Sequence, residues 1–264
     1  MRIGCQTYSW EMQLKERPTT LWQMFDAIRL AGYEGVEFTN NTGGAWLEEP
    51  ERVAEELQKR DLRLAAVAVS RNGFTDAAEM KGDLQLVETA VRFLRRFDGA
   101  LLALGGAAHA DQANWPKHLE QAIKFYGAAG EIANAAGVRC CVHPHSHYGS
   151  LIETPEQYEF LFAHLPAPCR WCPDTGHIVR GGQDLMTCLK RYADRIEYIH
   201  MKDADAAGQW QAMGRGIIDF PAMFAWLKQR GFNGWLVAEE ESRLAWEDPV
   251  RANQLNREYI RRTL

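Results

Sequence analysis

Three stretches of the chain run from apolar residues straight into side chains of the kinds that bind divalent metals. Asp174 and His177 end the first stretch, His200 and Lys202 end the second, and Glu239 ends the third. Residues two apart on an extended strand share one face, so His200 and Lys202 are expected on the same side. If the three strands end at one rim, an Asp, a His and a Glu converge there as a metal-binding cup. Such oxygen and imidazole donors suit Mn²⁺, Co²⁺, Fe²⁺, Mg²⁺ or Zn²⁺ without choosing among them.

The elements that must position these residues follow one repeated pattern: a short apolar run, then a segment with apolar residues at helical spacing. The predicted strands span residues 2–8, 35–39, 62–69, 100–104, 138–142, 170–172, 196–201 and 234–239. The predicted helices span about 21–31, 50–59, 77–96, 115–136, 154–164, 185–192, 219–229 and 248–262.

Strict alternation of strands and helices predicts an all-parallel sheet with right-handed crossovers. Eight such units in 264 residues predict an α/β fold, one closed (β/α)₈ TIM barrel, with a single domain over residues 1–264. An open doubly wound sheet is the alternative. No predicted strand is followed by the GxGxxG that marks a dinucleotide-binding turn, which argues against it.

The composition argues against nucleic-acid and membrane partners. The formal net charge is -5 and the pI is about 5.9, so the surface as a whole should not attract polyanions. No apolar run approaches the about 20 residues that cross a bilayer. The chain opens with strand-like residues rather than a signal peptide, and its six cysteines are interpreted as buried thiols, since Cys169-x-x-Cys172 has no second CxxC. A reduced, cytoplasmic protein is expected.

Histidines are concentrated where such barrels place their sites, at the carboxyl ends of the strands. Five of the eight histidines follow predicted strands: His143, His145, His147, His177 and His200. The other three, His109, His118 and His164, fall in a loop or in helices. Burying several carboxylates and imidazoles together is costly without a cation, so the clustering favours a metal. Gly176 is expected to let the backbone turn tightly between Asp174 and His177.

Four motifs in order give the chain a resemblance to a known family: DTGH at 174–177, IHMKD at 199–203, GRGIIDF at 214–220 and GFNGWLVAE at 231–239. They resemble the xylose-isomerase-like TIM barrels known as sugar phosphate isomerases/epimerases, which include ketose 3-epimerases, hydroxypyruvate isomerase and inosose dehydratase. The resemblance implies a divalent metal held by Asp174, His200 and Glu239, with His177 and Lys202 facing the substrate.

The fourth ligand is where the sequence departs from part of this family. Epimerases and hydroxypyruvate isomerase carry a glutamate at the end of the fifth strand, where this chain has His143. The histidine-rich segment 143–154, HPHSHYGSLIET, resembles instead the inosose dehydratase side of the family. Glu153 is one candidate for the fourth ligand, and His143 and His145 are its competitors. Glu153 would otherwise help Thr154 to cap the next helix.

These residue types indicate removal of a proton next to a carbonyl group. A cation that bridges the carbonyl and hydroxyl oxygens stabilises the enediolate, and a carboxylate or imidazole takes the proton. The candidate catalytic residues are His143, His145, His177 and Lys202; the candidate substrate-binding residues are Gln6, Glu37 and Arg215; the candidate metal ligands are Glu153, Asp174, His200 and Glu239. For Lys202, a salt bridge to Asp203 or Asp205 is the alternative role.

The sequence therefore predicts a divalent-metal-dependent isomerase, epimerase or dehydratase that acts on a keto-sugar, a sugar phosphate or a cyclitol. The missing epimerase glutamate favours dehydration. DNA repair of the endonuclease IV type is one alternative, but the third and fourth strands lack the histidine ligands that it needs. A non-catalytic sugar-binding barrel is the other alternative. Trp10, Trp46 and Trp210 fall in predicted loops and are candidates to stack on a sugar ring. The sequence leaves the oligomeric state open, a homo-oligomer included.

Overall fold

Eight parallel strands form the centre of the protein. The computed structural model describes residues 1–71, 74–106 and 112–264. The strands are β1 (Arg2–Gln6), β2 (Gly35–Thr39), β3 (Arg63–Val69), β4 (Leu101–Gly105), β5 (Arg139–His143), β6 (Cys169–Trp171), β7 (Ile199–Met201) and β8 (Trp235–Ala238). From β1 to β6 each strand pairs with the next one in the chain, and β8 lies between β1 and β7. Parallel bridges Trp171–Ile196 and Asp174–His200 join the sixth and seventh segments, so the sheet closes and the predicted (β/α)₈ barrel is confirmed.

Helices surround the strands. In the described ranges they are α1 (Tyr8–Glu11), α2 (Leu21–Ala31), α3 (Asn40–Gly43), α4 (Pro50–Lys59), α5 (Met80–Leu94), α6 (Trp115–Ala135), α7 (Pro155–His164), α8 (Thr175–Arg180), α9 (Leu185–Arg191), α10 (Phe220–Gln229), α11 (Arg243–Glu247) and α12 (Pro249–Thr263). Helices α2, α4, α5, α6, α7, α9, α10 and α12 are the eight crossover helices that the sequence pattern predicts, with ends that differ by a few residues.

Local sequence signals set the ends of several crossover helices. The Thr20 side chain accepts the Gln23 N–H at the start of α2, and the Gln23 side chain accepts the Thr20 N–H in return. Gly32 ends α2 with φ +90°, a left-handed conformation that glycine adopts without a steric penalty. Thr154 and Gln157 form the same reciprocal cap on α7. Each cap supplies partners for helix-end N–H groups that lack any within the helix.

Two apolar layers hold the barrel together. The outer layer packs large side chains between the strands and the helices. The inner layer consists mostly of small residues such as Ala66, Ala103 and Cys141, together with Tyr198 and Trp235. Trp235, the first residue of β8, is buried at the amino-terminal end of the barrel, with the Arg2 guanidinium 4.3 Å from its ring centre. The interior is therefore a packed core, and its ionisable residues gather at the other end.

The structure adds elements that the apolar pattern did not predict. Short helices α1, α3, α8 and α11 follow strands β1, β2, β6 and β8, and a hairpin of Asp203–Ala204 with Trp210–Gln211 follows β7. Segments this short show no helical periodicity, so their presence depends on caps and tertiary contacts. All of them lie beyond the carboxyl ends of the strands, where they form the walls of the candidate site. His109 lies outside the described residues.

The cysteine prediction agrees with the structure. All six cysteines are buried and none forms a disulfide. Cys169 packs in the outer layer and Cys172 in the inner layer, so the pair does not face one common metal position. Within the described ranges, no helix combines the length and apolar character needed to cross a membrane.

Packing at the amino-terminal end of the barrel gives a stability prediction. Gly35→Ala should destabilise the protein by about 1–3 kcal/mol, because its methyl group would lie 2.5 Å from Trp235 Cη2 and 3.2 Å from the Arg63 carbonyl oxygen. Urea unfolding measures the difference in unfolding free energy. The matched control is Gly82→Ala on the exposed face of α5, where nothing lies within 4 Å of the new methyl group. Equal stability of the two variants would contradict this account of the packing.

Candidate metal centre and active site

Four buried side chains meet at the carboxyl end of the barrel: His143, Asp174, His200 and Glu239. One nitrogen or oxygen atom from each lies within 4.8 Å of those of the other three. His143 ends β5, Asp174 follows β6, His200 is the centre of β7 and Glu239 directly follows β8. Three of the four predicted ligands are therefore brought together, and the fourth member is His143, one of the two competitors of Glu153.

Asp174 divides its two carboxylate oxygens between two roles. It is the N-cap of α8, where Oδ1 accepts the His177 N–H at 2.8 Å. Oδ2 is buried without a hydrogen-bond partner, and so is Nε2 of His143, 3.7 Å away. A buried polar atom without a partner costs about 1–3 kcal/mol, and a bound cation would satisfy both atoms. The donor set present therefore fits a divalent metal.

Gly176 has a different role from the predicted one. It lies inside α8, and its φ is not among the positive values found in the chain. A Cβ atom there would approach both the Lys202 backbone oxygen and the Trp210 ring to 3.0 Å. Gly176 thus permits α8 to pack closely against the segment after β7, which keeps Asp174 and His177 beside Lys202.

His200 is held between two carboxylates. Its Nε2 lies 2.9 Å from Glu37 Oε2, and its Nδ1 lies 2.6 Å from Glu239 Oε2. A histidine that binds a metal usually donates its other ring N–H to a carboxylate, which fixes the ring orientation. A proton on Nε2 would be directed at Glu37, which would leave Nδ1 to bind a cation beside Glu239. Glu37 was predicted to bind substrate, but it is fully buried against His200 and is positioned to orient that ring.

Lys202 is a buried cation with carboxylates around it. Only 1% of the residue is exposed, and its Nζ lies 3.4 Å from Glu239 Oε1, 3.7 Å from Asp174 Oδ2 and in an ion pair with Glu241. Burial favours the neutral amine, but Glu239, Glu241 and Asp174 outweigh it and raise the pKa of Lys202. Lys202 therefore stays charged and offsets part of the buried negative charge.

The alternative partners for Lys202 serve another purpose. Asp203 accepts N–H groups from Gly214 and Gly216 at 2.8 and 2.9 Å, so it holds the turn of the GRGIIDF motif. A side chain at Gly216 would collide with Asp203 and with the Ala204 carbonyl oxygen. Asp205 binds backbone N–H groups within the hairpin loop. Neither carboxylate forms a salt bridge with Lys202, so that alternative was wrong.

The run of three glutamates after β8 serves three functions. Glu239 belongs to the four-residue group, whereas Glu240 accepts a hydrogen bond from Asn256 at 2.6 Å and so links the rim to α12. Glu241 pairs with Lys202 and was absent from the predicted site. It follows Glu239 by two residues, the spacing that places two side chains on one side of an extended segment. That spacing was the sequence signal for it.

Three imidazoles extend the site outward from the group. His145 Nε2 lies 3.3 Å from His143 Nδ1, and His177 Nδ1 accepts the Ser146 N–H at 2.9 Å. Burial lowers the pKa of His143, His145 and His177, and the nearby charge of Lys202 lowers that of His177 further. Neutral rings can accept or relay protons near pH 7. His147 is exposed, with its ring centre 5.4 Å from that of His177.

Glu153 lies outside the four-residue group and anchors the loop after β5 instead. Its carboxylate accepts hydrogen bonds from the Ser146 hydroxyl and from the Gly149 and Ser150 N–H groups, all at 2.8 Å. Thr154 caps α7 with Gln157, so Glu153 is not the capping side chain either. The prediction of Glu153 as a ligand is therefore not supported by its position, because its oxygens already bind the loop.

Other predicted site residues vary in their positions. Gln6 ends β1 beside Glu37, and its side-chain oxygen accepts the Tyr8 N–H. Arg215 is exposed and lines a neighbouring cleft of about 510 Å³ that also contains Trp210 and Glu241. Neither side chain reaches the four-residue group. Each was predicted to bind substrate, and that role remains a prediction.

Of the three tryptophans predicted to stack on a sugar, only Trp210 lies at the site. Its ring centre is 4.9 Å from that of His177 and 5.0 Å from Lys202 Nζ. Trp10 is buried in the outer core, and Trp46 packs against Trp22. Both were predicted from loop position alone, but short helical segments turn them inward.

Tyr8 is a further residue near the site that the prediction left out. Burial, together with Glu241 and Glu239, raises the pKa of Tyr8 to about 12. The phenol therefore remains a hydrogen-bond donor at neutral pH.

Comparison with known proteins identifies the family of the chain. The sequence profile of the xylose isomerase-like TIM barrel family matches residues 25–262. The chain belongs to this family. Inosose dehydratase of Geobacillus kaustophilus is 25% identical over 91% of this chain and 86% of that protein, and the one of Bacillus licheniformis is 26% identical over 93% and 89%.

Solved structures share the fold. The IolI protein with a bound zinc atom has a TM-score of 0.82 at 15% identity, over 100% of this chain and 98% of that one. Apo 3-keto-D-glucoside 4-epimerase (YcjR) from E. coli has a TM-score of 0.79 at 18% identity, over 99% of both chains. D-psicose 3-epimerase from Clostridium cellulolyticum, solved with D-tagatose, has a TM-score of 0.80 at 15% identity, over 100% and 99%.

The donor set gives a prediction about metal content. Asp174→Asn and Glu239→Gln should each lose stoichiometric metal, measured by elemental analysis after gel filtration, because each removes an anionic donor. Asn caps a helix as well as Asp, so the fold of Asp174→Asn should persist. Asp184→Asn is the matched control, since Asp184 is the exposed N-cap of α9. Full metal content in both site variants would show that these are not ligands.

The residues around the group give a second, graded prediction. Glu37→Gln should keep the fold and lower metal affinity about 10–100-fold, because it weakens the contact that orients His200. Glu153→Gln should retain metal, because Glu153 lies outside the group. A chelator competition measures both affinities. Metal loss in Glu153→Gln with retention in the Asp174 and Glu239 variants would reverse the ligand assignment.

Proposed function

We propose that this protein is a divalent-metal-dependent enzyme that abstracts a proton next to the carbonyl of a keto-sugar, sugar phosphate or cyclitol, leading to isomerisation, epimerisation or dehydration. The observation that carries the proposal is the buried group of His143, Asp174, His200 and Glu239, in which His143 Nε2 and Asp174 Oδ2 face each other without a hydrogen-bond partner. Relatives named inosose dehydratase and epimerase structures of the same fold support it. A bound divalent cation supplies polarisation of a carbonyl and adjacent hydroxyl oxygen.

Within this class we favour dehydration, since His143 replaces the carboxylate that a two-glutamate epimerase uses. Loss of water from a keto-substrate breaks a C–H bond beside the carbonyl and a C–O bond one carbon further on. A base takes the proton, and an acid protonates the departing hydroxyl group, so that water leaves. Two imidazoles next to the group, His145 and His177, can perform these transfers, and their ring centres lie 4.9 Å apart.

The environments of the two imidazoles suggest different roles. His177 faces N–H donors at both ring nitrogens, the Ser146 N–H and the Lys202 ammonium, which lies 3.2 Å from Nε2. The charge of Lys202 opposes a second proton on this ring. His145 is half-buried, and within the described residues its Nε2 lies against another imidazole rather than a charged group. We therefore assign the proton abstraction to His145, whose imidazolium then returns the proton to the departing hydroxyl group, and a positioning role beside Lys202 to His177.

We also propose that residues 1–264 function as one domain in the cytoplasm. In the described ranges, all strands belong to one closed sheet apart from the short hairpin, and six buried thiols without a disulfide suit a reducing compartment.

The test of the proposed function is solvent deuterium incorporation. The metal-loaded protein should introduce deuterium next to the carbonyl of at least one member of a panel of keto-sugars and inososes, with loss of water from that substrate. His145→Gln should lower turnover about 10²–10⁴-fold while it keeps its metal. His164→Gln is the control, because His164 is exposed on α7, away from the site, and contacts the carbonyl oxygen and the ring of Phe160.

The outcomes separate the possible reactions. Clean epimerisation without loss of water would replace dehydration by epimerisation. No exchange with any substrate, in protein that holds stoichiometric metal, would leave a sugar-binding barrel as the better description. Full activity in His145→Gln would remove His145 from the reaction.

A further inference from the structure

Arg180 lies at the mouth of the site and is held by aromatic rings. It is the last residue of α8, and its guanidinium carbon lies 4.4 Å from the Tyr148 ring centre and 4.5 Å from the Trp210 ring centre. Contacts of this kind use the flat face of a guanidinium, so they leave its N–H groups free for in-plane partners. Two different segments thus fix the position of one cation: the loop after β5 and the hairpin after β7.

The position of Tyr148 is itself built into the loop. Tyr148 has φ +57°, in the left-handed region, and its hydroxyl donates to the Ala207 carbonyl oxygen at 3.2 Å. The next two residues, Gly149 and Ser150, donate their N–H groups to Glu153. The loop is therefore anchored on both sides of the aromatic contact, and the location of Arg180 is defined.

Arg180 lacks a counter-charge. Among residues 1–71, 74–106 and 112–264, no carboxylate lies within 4.0 Å of its guanidinium nitrogens, and its Nε is buried without a hydrogen-bond partner. Of the other arginines that lie over aromatic rings, Arg230 pairs with Asp194 and Arg191 with Glu159, whereas Arg2 and Arg257 form no ion pair within the described residues. Among the described arginines, Arg180 differs from all four in its buried Nε without a hydrogen-bond partner. A buried guanidinium donor without a partner is unfavourable, so an acceptor from outside the chain would be stabilising.

Arg180 is close to His177, which lines the active site. It follows His177 by three residues in the same helix, a spacing at which Cβ atoms lie about 5–6 Å apart on one face. Trp210 contacts both residues. An anionic group bound to Arg180 would therefore lie on the same side of α8 as His177 and next to Trp210.

We propose that Arg180 binds a terminal anionic group of the substrate, a carboxylate or a phosphate, through its in-plane N–H groups. Planar guanidinium groups recognise both anions through paired hydrogen bonds. Lys202 is not available for this purpose, because it already neutralises three carboxylates. This inference rests on the proposed function and narrows its substrate to keto-sugars that carry a negative charge away from the carbonyl.

The test compares matched sugars on metal-loaded protein by isothermal titration at constant ionic strength. The probes are D-fructose, D-fructose 6-phosphate and 5-keto-D-gluconate, so the two anionic arms separate phosphate from carboxylate recognition. The wild type should bind at least one anionic sugar about 10–100-fold more tightly than fructose, the range expected of charge-assisted hydrogen bonds. Arg180→Gln should abolish that preference and leave fructose binding unchanged. Arg230→Gln, a ring-stacked arginine remote from the site, should behave as wild type.

Several results would overturn the inference. Equal binding of all three sugars by the wild type, or no saturable binding of either anionic sugar, would do so. An equal loss of affinity for all three sugars in Arg180→Gln would show that the residue only holds the two loops in place. Deuterium exchange is measured separately. If a neutral sugar exchanges and the protein does not bind anionic sugars more tightly, this inference alone is wrong. If no sugar exchanges in metal-loaded protein, the proposed function is wrong.

Discussion

The barrel closes where Asp174 pairs with His200, and that closure buries several ionisable groups in one small volume. The sixth and seventh strands are only three residues long, so two isolated bridges complete the sheet at this point. Charges removed from water must be compensated by opposite charges or by hydrogen bonds. Much of the surrounding structure follows from this requirement, since each wall of the site supplies a partner for one of these groups.

The carboxylates at the rim divide into groups with different physical roles. Asp174 and Glu239 face His143 and His200 with oxygens that can bind a cation, and Glu37 fixes the orientation of His200 from behind. Glu241 neutralises Lys202. Asp203 and Glu153 take no part in this balance of charge, since their oxygens accept backbone N–H groups and hold the loops after β7 and β5. The anchored loops then carry the aromatic and imidazole side chains that surround the opening.

Two cationic side chains near the opening of the site differ in how far their charge is neutralised. Lys202 is fully buried, and three carboxylates satisfy its charge, so it belongs to the internal balance of the site. Arg180 lies further out, where two aromatic rings position it without neutralising it. A cation fixed in position but not neutralised suits selection of a ligand by charge. In the proposed reaction, the inner groups would determine which bond reacts and Arg180 would select the molecule that is held there.

The short helix α8 shows how a local cap contributes to the chemistry. Asp174 follows the sixth strand and is the N-cap of α8. Its Oδ1 accepts the His177 N–H, and its Oδ2 is left facing the other members of the four-residue group. His177 occupies the third position of the same helix, and Arg180 occupies its end. Three residues of different chemical type are thus arranged along one short helix and its N-cap. Gly176 allows that element to lie against the backbone of Lys202.

The sequence by itself determined the barrel and the rim residues Asp174, His200 and Glu239, because strand and helix periods repeat eight times and ionisable residues follow the strands directly. It did not determine the partners of these residues. Glu153 and His143 both follow the fifth strand, and only the fold of their loop shows that Glu153 turns to the Ser146, Gly149 and Ser150 donors while His143 faces Asp174. Tertiary structure likewise decided the contacts of Glu37 with His200 and of Arg180 with the two aromatic rings. A carboxylate or a guanidinium is available to a ligand only if no group from a distant segment of the chain already pairs with it. The local sequence does not encode which distant groups lie within hydrogen-bonding distance.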